Sequence, residues 1–261
     1  TGNVPVRETL KRAGYHVIPV EEQCFPDKDF INTKSPNPEN KEAYELAMEY
    51  VARTGADIAI TNKVLIDGDA MRQLPDLKLI CVAATGMNNV DLVAASEKGV
   101  LVMNAVGYST YAVAETTLCS ALSLLRELTY YDNFFKSGEY AKAERIFNFD
   151  RPTAQLRGKR WGIIGLGNIG REVARLAEAF GCEVSYFSTS GIARYEQYPA
   201  LSLNELLTTS DIISIHCPLT PRTANLITEK ELATMKPSAI LVNVARGGIV
   251  NEEALGHALN N

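Results

Sequence analysis

Gly165-Leu166-Gly167-Asn168-Ile169-Gly170 sets three glycines in one short turn, directly after the apolar run Trp161-Gly162-Ile163-Ile164 and before a helical pattern from Arg171 to Phe180 that Gly181 closes. Each glycine has a physical task in gripping an anion. Gly165 permits the tight turn, Gly167 removes the Cβ that would block a pyrophosphate, and Gly170 lets helix and strand pack closely. Backbone amides at the helix N-terminus then attract phosphate. A glycine triplet alone is a weak signal, but here strand, turn and helix stand in the order a dinucleotide site requires.

In such a site the second strand ends about 20 residues onward in an Asp or Glu that hydrogen-bonds the adenosine ribose. Phe187-Ser188-Thr189-Ser190 stands there instead. No carboxylate repels a 2′-phosphate, and the hydroxyls of Ser188 and Thr189 with nearby Arg194 could hydrogen-bond one. Arg194 as a solvated loop residue is the alternative. The cofactor expected is therefore NAD or NADP, with NADP tolerated. His216 follows another apolar run, at the carboxyl edge where ligands bind in parallel sheets. A lone His at a strand end is more often structural than catalytic, and His216 reads as lining the cleft rather than transferring a proton. Val242-Asn243-Val244-Ala245-Arg246-Gly247-Gly248 ends a further strand in an Arg. A guanidinium there suits a carboxylate and an adjacent carbonyl oxygen, with a surface ion pair as the open alternative.

Parallel strands must bring these residues to one edge. Strand-like runs occur at Arg160 to Gly165, Glu183 to Ser188, Asp211 to Cys217 and Ala239 to Ala245, separated by helical segments. Ser202 with Glu205, and Thr228 with Glu231, announce two helices by capping boxes. Glu252, Glu253 and His257 read as a helix capped by Asn251, whose acidic first turn suits the helix dipole, and not as catalytic groups. Upstream, short apolar runs at Ala56 to Thr61, Leu77 to Thr85 and Val100 to Ala105 imply another parallel sheet covered on both faces. Helical patterns at Val6 to Ala13 and Lys41 to Arg53, a strand at His16 to Val20 and a loop at Pro26 to Asn40 precede them. Because a helix comes before any strand, an opening strand is expected upstream of Thr1. Tyr111 to Leu128 reads as one long buried helix after Ser109 or Thr110, and Asp150 to Arg160, with Pro152 and Gly158, reads as a linker.

Length and composition agree with this two-domain reading. The 261 residues exceed one ordinary domain, and 46% hydrophobic with 22% charged residues is a globular balance. A net charge of −5 with scattered Lys and Arg gives no row of phosphate contacts, so nucleic acid is not an expected partner, and no apolar run is long enough to span a membrane. Cys24, Cys81, Cys119, Cys182 and Cys217 form neither a metal pair nor a disulfide framework, which fits a reducing cytoplasm and no metal.

The ordered set G-L-G-N-I-G, H-C-P-L-T-P-R-T-A-N-L-I and N-V-A-R-G-G-I-V resembles the D-isomer-specific 2-hydroxyacid dehydrogenases, glycerate dehydrogenase and hydroxypyruvate reductase types in particular. The resemblance implies an α/β fold of two doubly wound parallel-sheet domains: a flavodoxin-like substrate domain over 1–106 and a Rossmann NAD(P)-binding domain over 107–261. It implies that backbone amides of Ala84, Thr85, Gly86 and Met87 receive a substrate carboxylate and that Arg246 orients a small 2-oxo acid. It also implies that Thr117, Gly165, Gly167, Asn168, Ile169, Gly170, Ser188, Thr189, His216, Cys217, Pro218, Thr223, Val244, Ala245 and Arg246 line the cofactor cleft. The expected reaction is hydride transfer between the cofactor and a 2-oxo acid/D-2-hydroxy acid pair of the hydroxypyruvate or glyoxylate type, in a homodimer at full length. A dinucleotide sensor without turnover is the alternative. The family's general acid, a His held by a Glu, lies beyond the Arg motif, as does the sixth strand of the usual Rossmann order, so residues 1–261 alone are expected to bind dinucleotide weakly or not at all and to show little or no turnover.

Overall fold

A computed structural model describes residues 55–143, 148, 150–192 and 197–260. The elements expected at 6–13, 16–20, 26–40 and 41–53, and Arg194, lie outside the described residues. The chain divides into two compact units, Thr1–Val106 and Gly107–Asn261, and each carries its own parallel sheet with alternating helices.

In the first unit β1 (Ile58–Thr61), β2 (Leu79–Val82) and β3 (Leu101–Asn104) pair in parallel in that order. Helices α1 (Gly68–Gln73) and α2 (Leu92–Lys98) begin at aspartates, Asp67 accepting from the Ala70 amide and Asp91 from the amides of Val93 and Ala94. Such caps satisfy donors that a helix start leaves without partners. Ile80, Val82, Met71, Leu74 and Ala95 form one core, whereas Leu101 and Met103 on β3 stay exposed. Among the described residues this sheet therefore shows the alternation of a half-buried sheet. The burial of both faces that the apolar runs imply is not seen at β3.

The second unit matches that expectation. Its sheet has β4 (Arg160–Ile164) at the centre, β5 (Glu183–Phe187) on one side, and β6 (Ile212–Ile215) then β7 (Ile240–Asn243) on the other, all parallel. Beyond β5 a parallel bridge joins Tyr186 to Ala200, where the Tyr186 amide donates to Pro199 O at 3.0 Å and the Leu201 amide to Tyr186 O at 2.8 Å. This one-bridge strand completes the spatial order third, second, first, fourth, fifth of the dinucleotide-binding fold. All four residues of β6 and the last four of β4 are buried, as central parallel strands should be.

One face of this sheet packs on α3 (Thr110–Leu125) and α6 (Asn168–Ala179), through Ala114, Ala121, Val173, Ala174 and Ala177 against Trp161, Ile163 and Ile212. Small residues let these two helices lie close. The buried Trp161 indole donates to Ser214 Oγ at 2.9 Å, so its polar atom is paired. The opposite face packs Ile164, Ile213 and Ile215 with Leu206 and Leu207 of α7 (Leu203–Thr209) and with Ile227 and Ile249. Helices α8 (Glu229–Thr234) and α9 (Glu252–Asn260) follow β6 and β7. Ser202 and Glu205 form the reciprocal capping box, at 3.0 and 3.2 Å, and the Thr228 amide donates to Glu231 at 3.1 Å. Asn251 caps α9 by accepting from the Ala254 amide at 2.8 Å.

Two local expectations change. The helical pattern from Tyr111 to Leu128 is two helices, because Glu127 takes a left-handed conformation (φ 51°) between α3 and α4 (Leu128–Lys136). Leu118, Leu122 and Leu125 pack on the core, but Leu128 is exposed. A short helix α5 (Glu139–Lys142) follows. The segment Asp150 to Arg160 is not a linker between the units but part of the second. Tyr131 donates its hydroxyl to Arg151 O at 3.0 Å, the Ala154 amide donates to Leu125 O at 2.9 Å, and Leu156 is buried.

Candidate functional site

The glycine turn sits at the carboxyl end of β4, where the chain order of the sheet reverses between β4 and β6. Gly165 has φ +94°, and its amide donates to Phe187 O at 3.0 Å while the His216 amide donates to Ile164 O at 2.8 Å. A Cβ at Gly170 would stand 2.3 Å from Gly165 O and 3.2 Å from a methyl of Ile163, so helix α6 lies against the strand as closely as backbone allows. Among the described residues, a Cβ at Gly167 would meet nothing within 4 Å. The first and third glycines are thus required by the protein itself, whereas the middle one leaves open space in front of the α6 N-terminus. That space is what a pyrophosphate needs, and the loop fits a dinucleotide. Asn168 starts α6 with its side-chain oxygen held by Arg171 at 2.6 Å, and Ile169 packs inward on the core.

His216 and Cys217 stand at the end of β6. Both imidazole nitrogens of His216 are buried without a hydrogen-bond partner among the described residues, and burial pushes its pKa down to about 4. At neutral pH the ring is uncharged. Cys217 is buried, and burial raises its thiol pKa, so it is an inert wall and not a nucleophile. Pro218 opens a loop closed by Thr223, whose buried hydroxyl donates to Pro218 O at 2.6 Å and accepts from the Thr220 amide at 2.7 Å. Thr223 therefore shapes the loop. Thr117 is likewise buried, with its hydroxyl given to Val113 O at 2.8 Å within α3.

Arg246 follows β7 at the same edge. Asn243 holds the turn by accepting from the Ala245 amide at 3.1 Å and donating to Arg246 O at 2.9 Å. Val244 and Ala245 are half-buried, and the exposed Arg246 guanidinium donates to Ala245 O at 2.7 Å. Bonds from the Asn225 amide to Gly248 O (2.7 Å) and from the Asn251 amide to Ile227 O (2.8 Å) brace this turn against the segment after β6.

At the end of β5, Ser188 donates its hydroxyl to Ile192 O at 2.8 Å and lies 3.1 Å from Ser190 Oγ. A cavity of about 390 Å³ opens beside it, lined by Thr189, Ser190, Pro218, Thr220, Pro221, Arg222 and Thr223. Its volume suits part of a cofactor. Ser190 belongs to the hydroxyl run that the sequence offers to a 2′-phosphate, whereas Thr220 and Arg222 carry no individual role in the sequence reading. Their one signal was position, in a loop that leaves the carboxyl end of a strand.

Ala84, Thr85, Gly86 and Met87 belong to the first unit, just past β2. Asn104 donates to Thr85 O at 2.7 Å, Thr85 donates its hydroxyl to Ala105 O at 3.2 Å, and Ala84 is buried. This loop is pinned to the end of β3.

The model of the D-isomer specific 2-hydroxyacid dehydrogenase NAD binding domain matches residues 118–261. A second model, the alpha/beta/alpha domain II of phosphoglucomutase/phosphomannomutase, matches residues 1–74, most of which lie outside the described residues. The chain is 42% identical over 205 residues to the glycerate dehydrogenase of Methylorubrum extorquens, spanning 78% of this chain and 64% of that protein's length. Its fold resembles that of the TT0316 protein from Thermus thermophilus, with TM-score 0.79 and 30% identity over 98% of this chain and 75% of the other. It also resembles a D-lactate dehydrogenase from Aquifex aeolicus complexed with NAD and lactic acid, with TM-score 0.72 and 29% identity over 82% of this chain and 63% of that one. The glycine turn, the strand order and these matches together place the chain in the D-isomer specific 2-hydroxyacid dehydrogenase family.

Proposed function

We propose that this chain belongs to an oxidoreductase that moves a hydride between NAD or NADP and a small 2-oxo acid/D-2-hydroxy acid pair, of the hydroxypyruvate/glycerate or glyoxylate/glycolate type. The observation that carries the reading is the open direction at Gly167 within a turn whose other glycines are sterically fixed. In this reading the unit Gly107–Asn261 holds the dinucleotide. Gly165 to Gly170 receive the pyrophosphate on the α6 N-terminus, and Thr189 faces the adenosine end. His216, Cys217, Val244 and Ala245 wall the cleft.

When bound, the nicotinamide supplies the hydride. The chain's own residues supply position and charge. Backbone amides of Ala84 to Met87, in the unit acting as substrate domain, receive the substrate carboxylate, and Arg246 orients the acid and polarises its carbonyl. An uncharged His216 lacks the acidic imidazolium proton at neutral pH, which suits a wall and not a general acid.

The assembly proposed is a homodimer. Leu124, Leu128, Phe135 and Tyr140 are all exposed on α3, α4 and α5, and this apolar stretch supports a self-contact. A cytoplasmic place is supported by Cys81, Cys119, Cys182 and Cys217 being free thiols. Among the described residues, no helix is long and apolar enough to cross a membrane.

The test is oxidation of NADH and NADPH by the protein at full length with hydroxypyruvate, glyoxylate and pyruvate in turn. Cofactor oxidation that depends on a 2-oxo acid is the expected result. Binding of dinucleotide with no turnover of any acid would instead favour a sensor.

A further inference from the structure

We infer that Arg222 is the cation that lets this site accept an adenosine carrying a 2′-phosphate. The inference rests on the dinucleotide reading above and names the residue that sets its cofactor choice. A phosphate at the ribose 2′ position needs donors and positive charge, and the end of β5 supplies fewer than its composition suggests. Ser188 has one hydroxyl proton, and Ile192 O takes it at 2.8 Å. The 3.1 Å contact between the two serine hydroxyls must then use the proton of Ser190. Both serine protons are committed, which leaves Thr189, among the described residues, as the hydroxyl donor on that wall of the cavity.

The opposite wall carries the charge. Arg222 lines the same cavity, is exposed at its mouth, and makes no hydrogen bond or ion pair among the described residues. No carboxylate is among the described lining residues, so nothing there neutralises the guanidinium or repels an anion. Nor is Arg222 on a loose tether. Pro221 precedes it, and Thr223 after it ties the loop to Pro218 O at 2.6 Å and to the Thr220 amide at 2.7 Å. A fork of donors held on a pinned loop loses little freedom when it grips a phosphate. Pro218 and Pro221 provide apolar walls for a flat base.

The competing role is stacking of the Arg222 guanidinium on adenine, which would serve both dinucleotides equally. Calorimetric titration with NADPH and NADH, and with adenosine 2′,5′-bisphosphate and adenosine 5′-monophosphate, separates the two. Relative to the wild-type protein, Arg222→Gln should raise the ratio of Kd for the 2′-phosphorylated ligand to Kd for its partner by about tenfold or more, the usual worth of one charged hydrogen bond. Arg222→Glu should raise it further, and Arg222→Lys should restore it in part. An unchanged ratio, or a wild-type protein that binds NADH and rejects NADPH, would overturn the assignment of Arg222. Failure of the wild type at full length to bind either dinucleotide would overturn the cofactor reading beneath it.

Discussion

Gly165 and Cys217 are packed so tightly that a Cβ on Gly165 would stand 2.9 Å from both the Cβ and the backbone nitrogen of Cys217. These two residues lie just past the ends of β4 and β6, the neighbours between which the sheet reverses its chain order. Ligands in open α/β sheets bind in the crevice at such a switch. Here the crevice floor is backbone against backbone, and the surrounding loops decide what it holds.

Gly170→Ala should destabilise the protein although Ala is the better helix former. The propensity gain is about 1 kcal/mol, and overpacking against a backbone oxygen that cannot swing aside costs about 1–3 kcal/mol. A Cβ there would lie 2.3 Å from Gly165 O. The urea midpoint should fall. A midpoint equal to or above that of the wild type would mean that α6 can move off β4 freely.

His216 should make stability depend on pH in acid. Burial holds its folded pKa down to about 4, against about 6.5 when exposed in the unfolded chain. Between those values the unfolded chain binds a proton that the folded chain does not, so stability rises with pH through the window and is lost as pH falls from about 6.5 toward 4. The full effect is on the order of 3 kcal/mol. Urea midpoints measured across that range should show a slope that His216→Gln flattens. An unaltered slope would place the titration elsewhere.

Arg246→Ala in the full-length enzyme should lower kcat/KM for 2-oxo acid reduction by about 100-fold or more, the usual worth of one preorganised charge at a developing alkoxide. Lys at this position should rescue only in part, because it lacks the planar fork. Steady-state kinetics decide the matter. Near-normal turnover in the Ala variant would remove Arg246 from the mechanism.

Much of the second unit is legible in the sequence because local chemistry dictates it. Gly165 answers to its own turn conformation, and Gly170, Ser202, Thr228 and Asn251 each answer to neighbours a few residues away, through a close approach or a cap. What is not legible depends on partners far along the chain. Nothing local marks Arg151 and Ala154 as docking on Tyr131 and Leu125, which turns an apparent linker into part of the unit. The break at Glu127 interrupts no apolar spacing, and so it hides inside a continuous pattern. Ser188 reads as a phosphate donor by position, yet Ile192 O takes its proton. Arg222 meets Thr189 only across the cavity between two loops.

The central claim, that the turn from Gly165 to Gly170 receives a dinucleotide pyrophosphate, is tested most directly at Gly167. Its φ of −81° and ψ of −159° suit any L-residue, it is the N-cap of α6, and a Cβ there meets nothing within 4 Å among the described residues. Serine is a better cap than glycine, so Gly167→Ser should keep or raise the urea midpoint. Its side chain would nevertheless fill the anion's approach and take up helix amides. Calorimetric titration of NADH into wild type and variant should show Kd raised by about tenfold or more, matching the loss of at least one charged hydrogen bond. Equal affinity in the two proteins, with folding intact, would contradict the account.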